Sequence, residues 1–202
     1  MDRIEVAVIP AAGRGTRMRP FTRTIPKALL PVLEKPVIQY VVEEAVEAGI
    51  DEIVFVIDSD DTVLRHFTVD PPIPNLEHVS FTTVEQTQAN GLGDAILHAR
   101  QAVGDRPFAV LLSDMFPAPG KAYLREMIAL DRENVVAVQH VTDDVTDRWG
   151  IVDPDQVART FRVQGAVEKP GIEAAASNLG LVGRYLFSPR VFEVLENLAP
   201  GW

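Results

Sequence analysis

The sequence predicts a doubly wound α/β fold on a mostly parallel sheet. Three observations carry that prediction. Runs at 6–9 (VAVI), 53–57 (IVFVI) and 108–112 (FAVLL) are almost wholly apolar, as strands become when helices cover both faces of a parallel sheet. Segments with apolar residues at helical spacing alternate with them. Glycine and proline punctuate the junctions.

The elements follow in order. Residues 4–9 read as the first core strand, leading directly into Gly13 and Gly15. Residues 36–48 place Val37, Tyr40, Val41 and Ala45 at helical spacing, with Gly49 as the stop. Residues 53–57 form the second strand, and Asp58 or Ser59 caps a short helix reaching Phe67. Pro71, Pro72 and Pro74 mark a connector. A strand at 79–84, a helix at 92–103, a strand at 108–112 ending in Ser113-Asp114, a helix at 121–130 and a strand at 135–141 continue the alternation. From Gly150 the pattern becomes strand-rich, with strands at 159–168 and 179–187, a last helix at 189–198 and a loop at 199–202. The chain fits one domain of 202 residues, with 47% hydrophobic content to bury. In such sheets ligands bind beyond the carboxyl ends of the strands.

Composition narrows the function classes. Against 19 Lys and Arg stand 29 Asp and Glu, a net charge of -10, which argues against a general nucleic-acid surface. No apolar run is long enough to span a bilayer, and the N-terminus lacks a signal-peptide pattern. The reading is a soluble, cytoplasmic protein without a membrane partner. The absence of cysteine excludes disulfides, thiol catalysis and Cys-type zinc sites, and suits a reducing compartment.

Against that acidity, the stretch from Val6 to Leu33 holds no acidic residue but carries Arg14, Arg17, Arg19, Arg23 and Lys27. Strand, glycines and cations together are phosphate-handling chemistry. The loop is neither a dinucleotide fingerprint, for want of a third glycine, nor a Walker A motif, for want of Gly-Lys-Ser/Thr. Taken alone, Gly13 and Gly15 fit a tight turn as well as an anion cradle. Asp114, directly after an apolar strand, fits a turn or cap residue as well as a metal ligand. Gln86 and Glu168-Lys169-Pro170 fit a polar strand end and a surface ion pair. His66, His78, His98 and His140 have no ligand-like spacing. Asp58, Asp60 and Asp61 read as a solvated helix start, and Asp143, Asp144 and Asp147 as a solvated loop.

The longer pattern Gly-x-Gly-Thr-Arg, then Pro20, Thr22 and Pro26-Lys27, resembles the signature of sugar-1-phosphate nucleotidylyltransferases. KPVIQYVVEEAVEAGIDEIVFV, NGLGDAI, FAVLLSD and EKPGIEAAASNLGLVGRYLFSP extend the likeness over nearly the whole chain, closest to the bacterial UTP-glucose-1-phosphate type. That resemblance implies a nucleotide-binding half at 1–114 and a sugar-phosphate half at 115–202. It implies transfer of UMP from UTP to glucose 1-phosphate with Mg²⁺, giving UDP-glucose and pyrophosphate.

It also implies roles. Ala11, Ala12, Gly13, Gly15 and Thr16 would hold base and phosphates; Arg17 and Lys27 would act on the phosphates; Asp114 would hold Mg²⁺. Gln86 and Gly91 would meet the base. Gly150, Glu168, Lys169, Asn178 and Gly183 would line the sugar-phosphate site, with Trp149 where the family usually has tyrosine. Arg14, Arg19 and Arg23 fit surface charges equally well. The family continues past the last helix into a Glu-x-Gln-x-Thr-Asp segment with a second metal-binding aspartate, so the sequence reads as a C-terminally truncated member with an uncovered apolar face and a tendency to form a homo-oligomer. Two rivals stand beside this: a dTTP-dependent thymidylyltransferase, and a nucleotide- or sugar-phosphate-binding module without turnover.

Overall fold

The computed structural model describes residues 3–13, 15–88, 90–116, 122–156 and 158–198. Its elements are β1 (Val6–Pro10), a two-stranded hairpin of β2 (Pro31–Val32) and β3 (Lys35–Pro36), α1 (Val37–Glu47), β4 (Glu52–Ile57), α2 (Thr62–Thr68), β5 (Ser80–Glu85), α3 (Leu92–His98), α4 (Arg100–Val103), β6 (Phe108–Leu111), α5 (Tyr123–Ala129), β7 (Val135–His140), β8 (Gly150–Pro154), β9 (Val163–Glu168), β10 (Leu179–Phe187) and α6 (Val191–Glu196). They form two compact units. One contains the chain up to Val135 and again from Arg184; the other is Val136–Gly183.

The first unit holds the parallel sheet in the order β5-β4-β1-β6, closed by the second half of β10. β1 pairs parallel with β4 from Val6↔Glu52 to Pro10↔Val56 and with β6 from Val6↔Phe108 to Val8↔Val110. β10 runs antiparallel to β6, Arg184 facing Leu111 and Phe187 facing Phe108. Both faces are covered. Val6, Val8, Val54, Val56, Phe108 and Val110 pack with Ala95, Ile96, Ala99 and Phe192, while the alternate residues Ala7, Ile9, Ile53 and Phe55 are equally buried. Phe55, Phe67 and Phe81 stack together with centroids 5.0 to 5.9 Å apart. Because three parallel strands start in register, Ala11, Asp58 and Leu112 leave the sheet at one edge.

The second unit is antiparallel. β8 pairs with β9 from Gly150↔Glu168 to Pro154↔Val163, with an irregularity at Asp153/Pro154, and the first half of β10 pairs with β8 at Gly180↔Ile151. β7 also pairs with β10.

Several boundaries differ from expectation. The helix expected at 92–103 breaks at Ala99 into α3 and α4. The strand expected from 159 starts at Val163, since Asp155 bonds back to Arg162 and closes a turn there. β8 was not expected, because GIVDP offers two apolar residues and a proline; it forms as a ladder partner of β9. The α2 start is held by Asp60, whose carboxylate accepts from the Thr62 amide at 2.9 Å, while Asp58 accepts from the Asp60 amide at 2.9 Å. The N-cap position is Asp61, which makes no side-chain cap bond, and the first helical amide is held by Asp60, so neither Asp58 nor Ser59 caps the helix. Gly49, with φ 92°, ends α1 as expected. Lys121, Arg14 and the 199–202 loop lie outside the described residues. Among the described residues no helix is long and apolar enough to cross a membrane.

Phe108 is fully buried and stacks on Phe192 at 5.1 Å, with the rings 5° apart. Phe108→Ala is expected to lower the unfolding free energy by about 3–5 kcal/mol through lost burial and the cavity left behind. Urea unfolding followed by circular dichroism measures it; a loss below about 1 kcal/mol would mean the site can collapse to fill the gap.

Candidate active site

The loop after β1 is built by its own hydrogen bonds. The Ala11 amide is spent on the sheet, donating to Val56 O at 2.7 Å, so Ala12 and Gly13 are the first loop residues beyond the ladder. Gly15 sits at φ 54°, ψ 34°, a left-handed conformation that costs a side-chain-bearing residue about 1 kcal/mol or more. Its carbonyl accepts from the Met18 amide at 2.9 Å and from the Thr22 hydroxyl at 2.7 Å. A Cβ there would come within 2.9 Å of Thr22 Cγ2 and 3.0 Å of Lys27 Cβ. Gly15 therefore lets the Thr22 and Lys27 segments fold back beside the strand end. At Gly13, by contrast, a Cβ would meet nothing within 4 Å; this backbone is open to a ligand.

A cavity of about 470 Å³ opens here, lined by Ala11 and Gly13 at the end of β1, by residues 22–27 with Arg19, and by Ile57, Asp58, Asp60 and Val63. Among the described residues its cations are Arg19, Arg23 and Lys27. Arg17, on the short turn Thr16–Met18, is exposed and does not line it. The structure thus brings Arg19 and Arg23, which the sequence also offered as surface charges, to this cavity. Asp58 and Asp60 line it as well, and Thr62, through its hydroxyl and then its amide, holds the Asp60 carboxyl below the usual carboxylate range.

Lys27 Nζ forms an ion pair with Asp114 Oδ2, across 87 residues of sequence. Asp114 follows Leu112 and Ser113 beyond the end of β6. With side chains 32% and 36% exposed, the pair adds little to stability, and both charges stay accessible to a ligand. No group of three or more His, Asp and Glu residues among the described residues is arranged to hold a metal by itself. Beside Lys27 the donor is the Asp114 carboxylate, with Asp58 and Asp60 elsewhere on the cavity wall. That suits a Mg²⁺ held by a carboxylate together with phosphate oxygens and water, rather than in an all-protein cage.

At the end of β5, Gln86 is buried, and its amide Nε2 donates to Gly91 O at 3.2 Å and to Asp94 Oδ2 at 2.6 Å. The structure brings Gln86 and Gly91 together. Gly91 adopts φ 101°, ψ -176°, open only to glycine, and a Cβ there would meet nothing within 4 Å. Asp94 was missed from sequence; an acid in the first turn of α3, three residues after Gly91, is the signal that could have found it.

In the second unit, Gly150 and Glu168 face each other across β8 and β9. A Cβ at Gly150 would lie 3.1 Å from Glu168 Oε2, so glycine leaves the carboxylate its space. Glu168 pairs with Lys169 Nζ. Lys169 has a left-handed backbone, φ 50°, and its amide donates to Trp149 O at 3.0 Å. Gly150, Glu168 and Lys169 therefore share one end of the ladder. Trp149 packs over Gly180, where a Cβ would fall 3.1 Å from the indole. Asn178 is engaged with His140, Oδ1 to Nδ1 at 3.2 Å, and Gly183, at φ 67°, is buried within β10.

Two further charged residues went unnoticed in the sequence. Arg184 interrupts the apolar run of β10, and Glu44 the buried face of α1; they form a buried ion pair. An isolated charge in an otherwise apolar strand is the available signal.

A family model described as nucleotidyl transferase matches residues 6–202. The chain is 38% identical to the UTP–glucose-1-phosphate uridylyltransferase of Bacillus subtilis (strain 168), over 100% of this chain and 76% of that protein. A solved UDP-glucose pyrophosphorylase complexed with UDP-glucose superposes with a TM-score of 0.90 at 35% identity, over 98% of this chain and 81% of that one. A UTP-bound UGPase from Acinetobacter baumannii does so with a TM-score of 0.89 at 37% identity, over 96% and 78%.

The two loop glycines should separate folding from binding. Gly15→Ala is expected to lower stability by roughly 1–3 kcal/mol, from the positive φ and the contact with Thr22. Gly13→Ala should unfold like the unaltered protein yet weaken nucleotide affinity by close approach to the ligand. Thermal unfolding and calorimetric titration of UTP read the two effects; equal effects at both positions would contradict the geometry.

Proposed function

Because this chain belongs to the nucleotidyl transferase family, we propose that it transfers the uridylyl group of UTP to glucose 1-phosphate, releasing pyrophosphate and forming UDP-glucose. What supports this most is the pairing of Lys27 with Asp114 at the carboxyl edge of a parallel sheet, beside a glycine-built loop with further cations. On this reading the chain is one nucleotidyltransferase domain of residues 1–202, with the nucleotide served by 1–114 and the sugar phosphate by 115–202. Its partners are small molecules, and the cysteine-free chain suits the cytoplasm.

The chemistry is in-line displacement at phosphorus. A phosphate oxygen of the sugar phosphate forms a bond to the α-phosphorus as the bond from that phosphorus to the bridging oxygen breaks, and the electron pair leaves with pyrophosphate. The nucleophile is already an anion near neutral pH, since the second phosphate pKa is about 6, so no general base is required. The protein's task is to hold two polyanions together and meet the charge moving to the leaving group.

Lys27, released from Asp114 when phosphates arrive, neutralises the reacting phosphates; Arg17, Arg19 and Arg23 are the further cations of the same segment. Asp114, freed in the same exchange, is the residue that would hold Mg²⁺. When bound, such an ion would supply charge neutralisation for the triphosphate. The Ala12 and Gly13 backbone, with Gly15 and Thr16 shaping the turn, gives the phosphates room. Gln86 has its amide hydrogens committed to Gly91 and Asp94, which leaves Oε1 to accept from the imide N–H of a pyrimidine base beside Gly91. Glu168 accepts from sugar hydroxyls and Lys169 meets the sugar phosphate, with Gly150, Asn178 and Gly183 as their surroundings.

Pyrophosphate release across a panel of nucleoside triphosphates and sugar 1-phosphates tests the assignment. UTP with glucose 1-phosphate should be the preferred pair; UTP binding without release would identify a nucleotide-binding module instead, and a dTTP preference a thymidylyltransferase. Lys27→Ala should cut kcat about a hundredfold, ~3 kcal/mol of transition-state stabilisation, with little loss of stability. Asp114→Asn keeps the size of the side chain and removes its charge. It should abolish most of the gain in UTP affinity that Mg²⁺ provides, read by calorimetry with and without the metal; an unchanged gain would leave Asp114 a structural residue.

A further inference from the structure

Arg184 is the largest fully buried side chain among the described residues. It projects from β10 opposite Leu111, the last residue of β6. One edge of its guanidinium meets α1, with Nε donating to Glu44 Oε2 at 2.9 Å and Nη2 lying 2.8 Å from the same oxygen. The rest of the fork meets the loop that follows β6, Nη1 donating to Leu112 O at 3.5 Å and Nη2 to Met115 O at 2.5 Å. Leu112 and Met115 bracket Ser113 and Asp114. The Met115 amide donates back to Leu112 O at 3.4 Å, closing the turn, and Phe116 just beyond it stacks on Tyr40 of α1 at 5.0 Å.

As a stabilising device this pair is poor. A buried ion pair rarely outperforms apolar side chains of the same size, because both charges must be stripped of water. Here the compensation is incomplete, since Glu44 Oε1 is buried without a hydrogen-bond partner among the described residues. What the guanidinium does provide is a rigid plane of donors, one that reaches a carboxylate on a helix and two carbonyls on either side of Asp114.

We propose that Arg184, oriented by Glu44, is a positioning residue that sets the Asp114 turn at the sheet edge and thereby presents its carboxylate to the metal-bound triphosphate. The inference rests on the assignment of Asp114 made above. Beyond the turn's own Met115 to Leu112 bond and the Phe116 stack, Arg184 is the side chain among the described residues that bonds the backbone on both sides of Asp114; Lys27 pairs with the carboxylate and not with that backbone. Arg184 itself touches neither the substrate nor the metal.

Two variants separate positioning from packing. Glu44→Leu with Arg184→Met removes both charges and the fork together, filling the space with apolar side chains. Arg184→Lys keeps a cation for Glu44 but lacks the planar fork. Each is compared with the unaltered chain and with Asp114→Asn for its urea midpoint and for the ratio of UTP dissociation constants without and with Mg²⁺, read by calorimetry where all are folded. We expect the double variant to unfold at or above the midpoint of the unaltered chain, yet both variants to lose about tenfold in that ratio, the size of effect typical of residues that support a metal ligand. Adding Asp114→Asn to either should cost little more, since the two changes remove one arrangement. Ratios equal to that of the unaltered chain in both variants, with Asp114→Asn still impaired, would overturn the role of Arg184 alone. No Mg²⁺ gain in the unaltered chain, or the full gain in Asp114→Asn, would refute the assignment of Asp114 and the inference with it.

Discussion

The parallel pairing of β1 with β4 on one side and β6 on the other is the constraint on which the rest of the first unit depends. Parallel strands with both faces buried must point the same way, and their chain connections must run over those faces. The ends of all three therefore emerge at one edge. That edge is where the chain can leave polar backbone without burying it, and the glycine loop, the Asp58 segment and the Asp114 turn are all rooted there. Chemistry-bearing residues far apart in the sequence become neighbours through strand direction alone.

The electrostatics follow from how little of the positive charge is shared. In a chain of net charge -10, the acid-free stretch between Val6 and Leu33 concentrates cations against a general negative background. Polyanionic substrates would be repelled elsewhere and received here. The ion pair between Lys27 and Asp114 makes the site self-neutralising in the absence of ligand, while Asp58 and Asp60 line the same cavity as Arg19 and Arg23. Selectivity for a phosphate that carries its own cation is a natural outcome of such a mixed wall.

Most of the fold was legible in the sequence because buried parallel strands are read as continuous apolar runs, and β1, β4 and β6 are such runs. β8 was not, since Gly150 to Pro154 owes its extended form to the β9 ladder rather than to its own residues. The loop glycines, Lys27 and Asp114 could be named from their order along the chain, though their contact could not. Gln86 shows the limit more sharply: its type suggests a free amide, and only the fold reveals that Gly91 and Asp94 occupy one end of it. Arg184 left a local sign, a lone charge in an apolar strand, but its pairing with Glu44 did not, because an ion pair between a helix and a distant strand has no spacing rule. That Arg19 and Arg23 line the cavity was hidden for the reverse reason, the arginines of this segment being too close together for sequence to tell their directions apart.

The separation of that pair along the chain has a consequence for biosynthesis. Glu44 and Arg184 are 140 residues apart, and at about 5–20 residues per second a ribosome needs roughly 7 to 28 s to make the intervening stretch. Throughout that interval the first helix carries an acid on the face it must bury, with no counter-ion yet in existence. The nascent β-α-β segment therefore has reason to stay open to water, deferring its final closure until the last strand arrives to neutralise it.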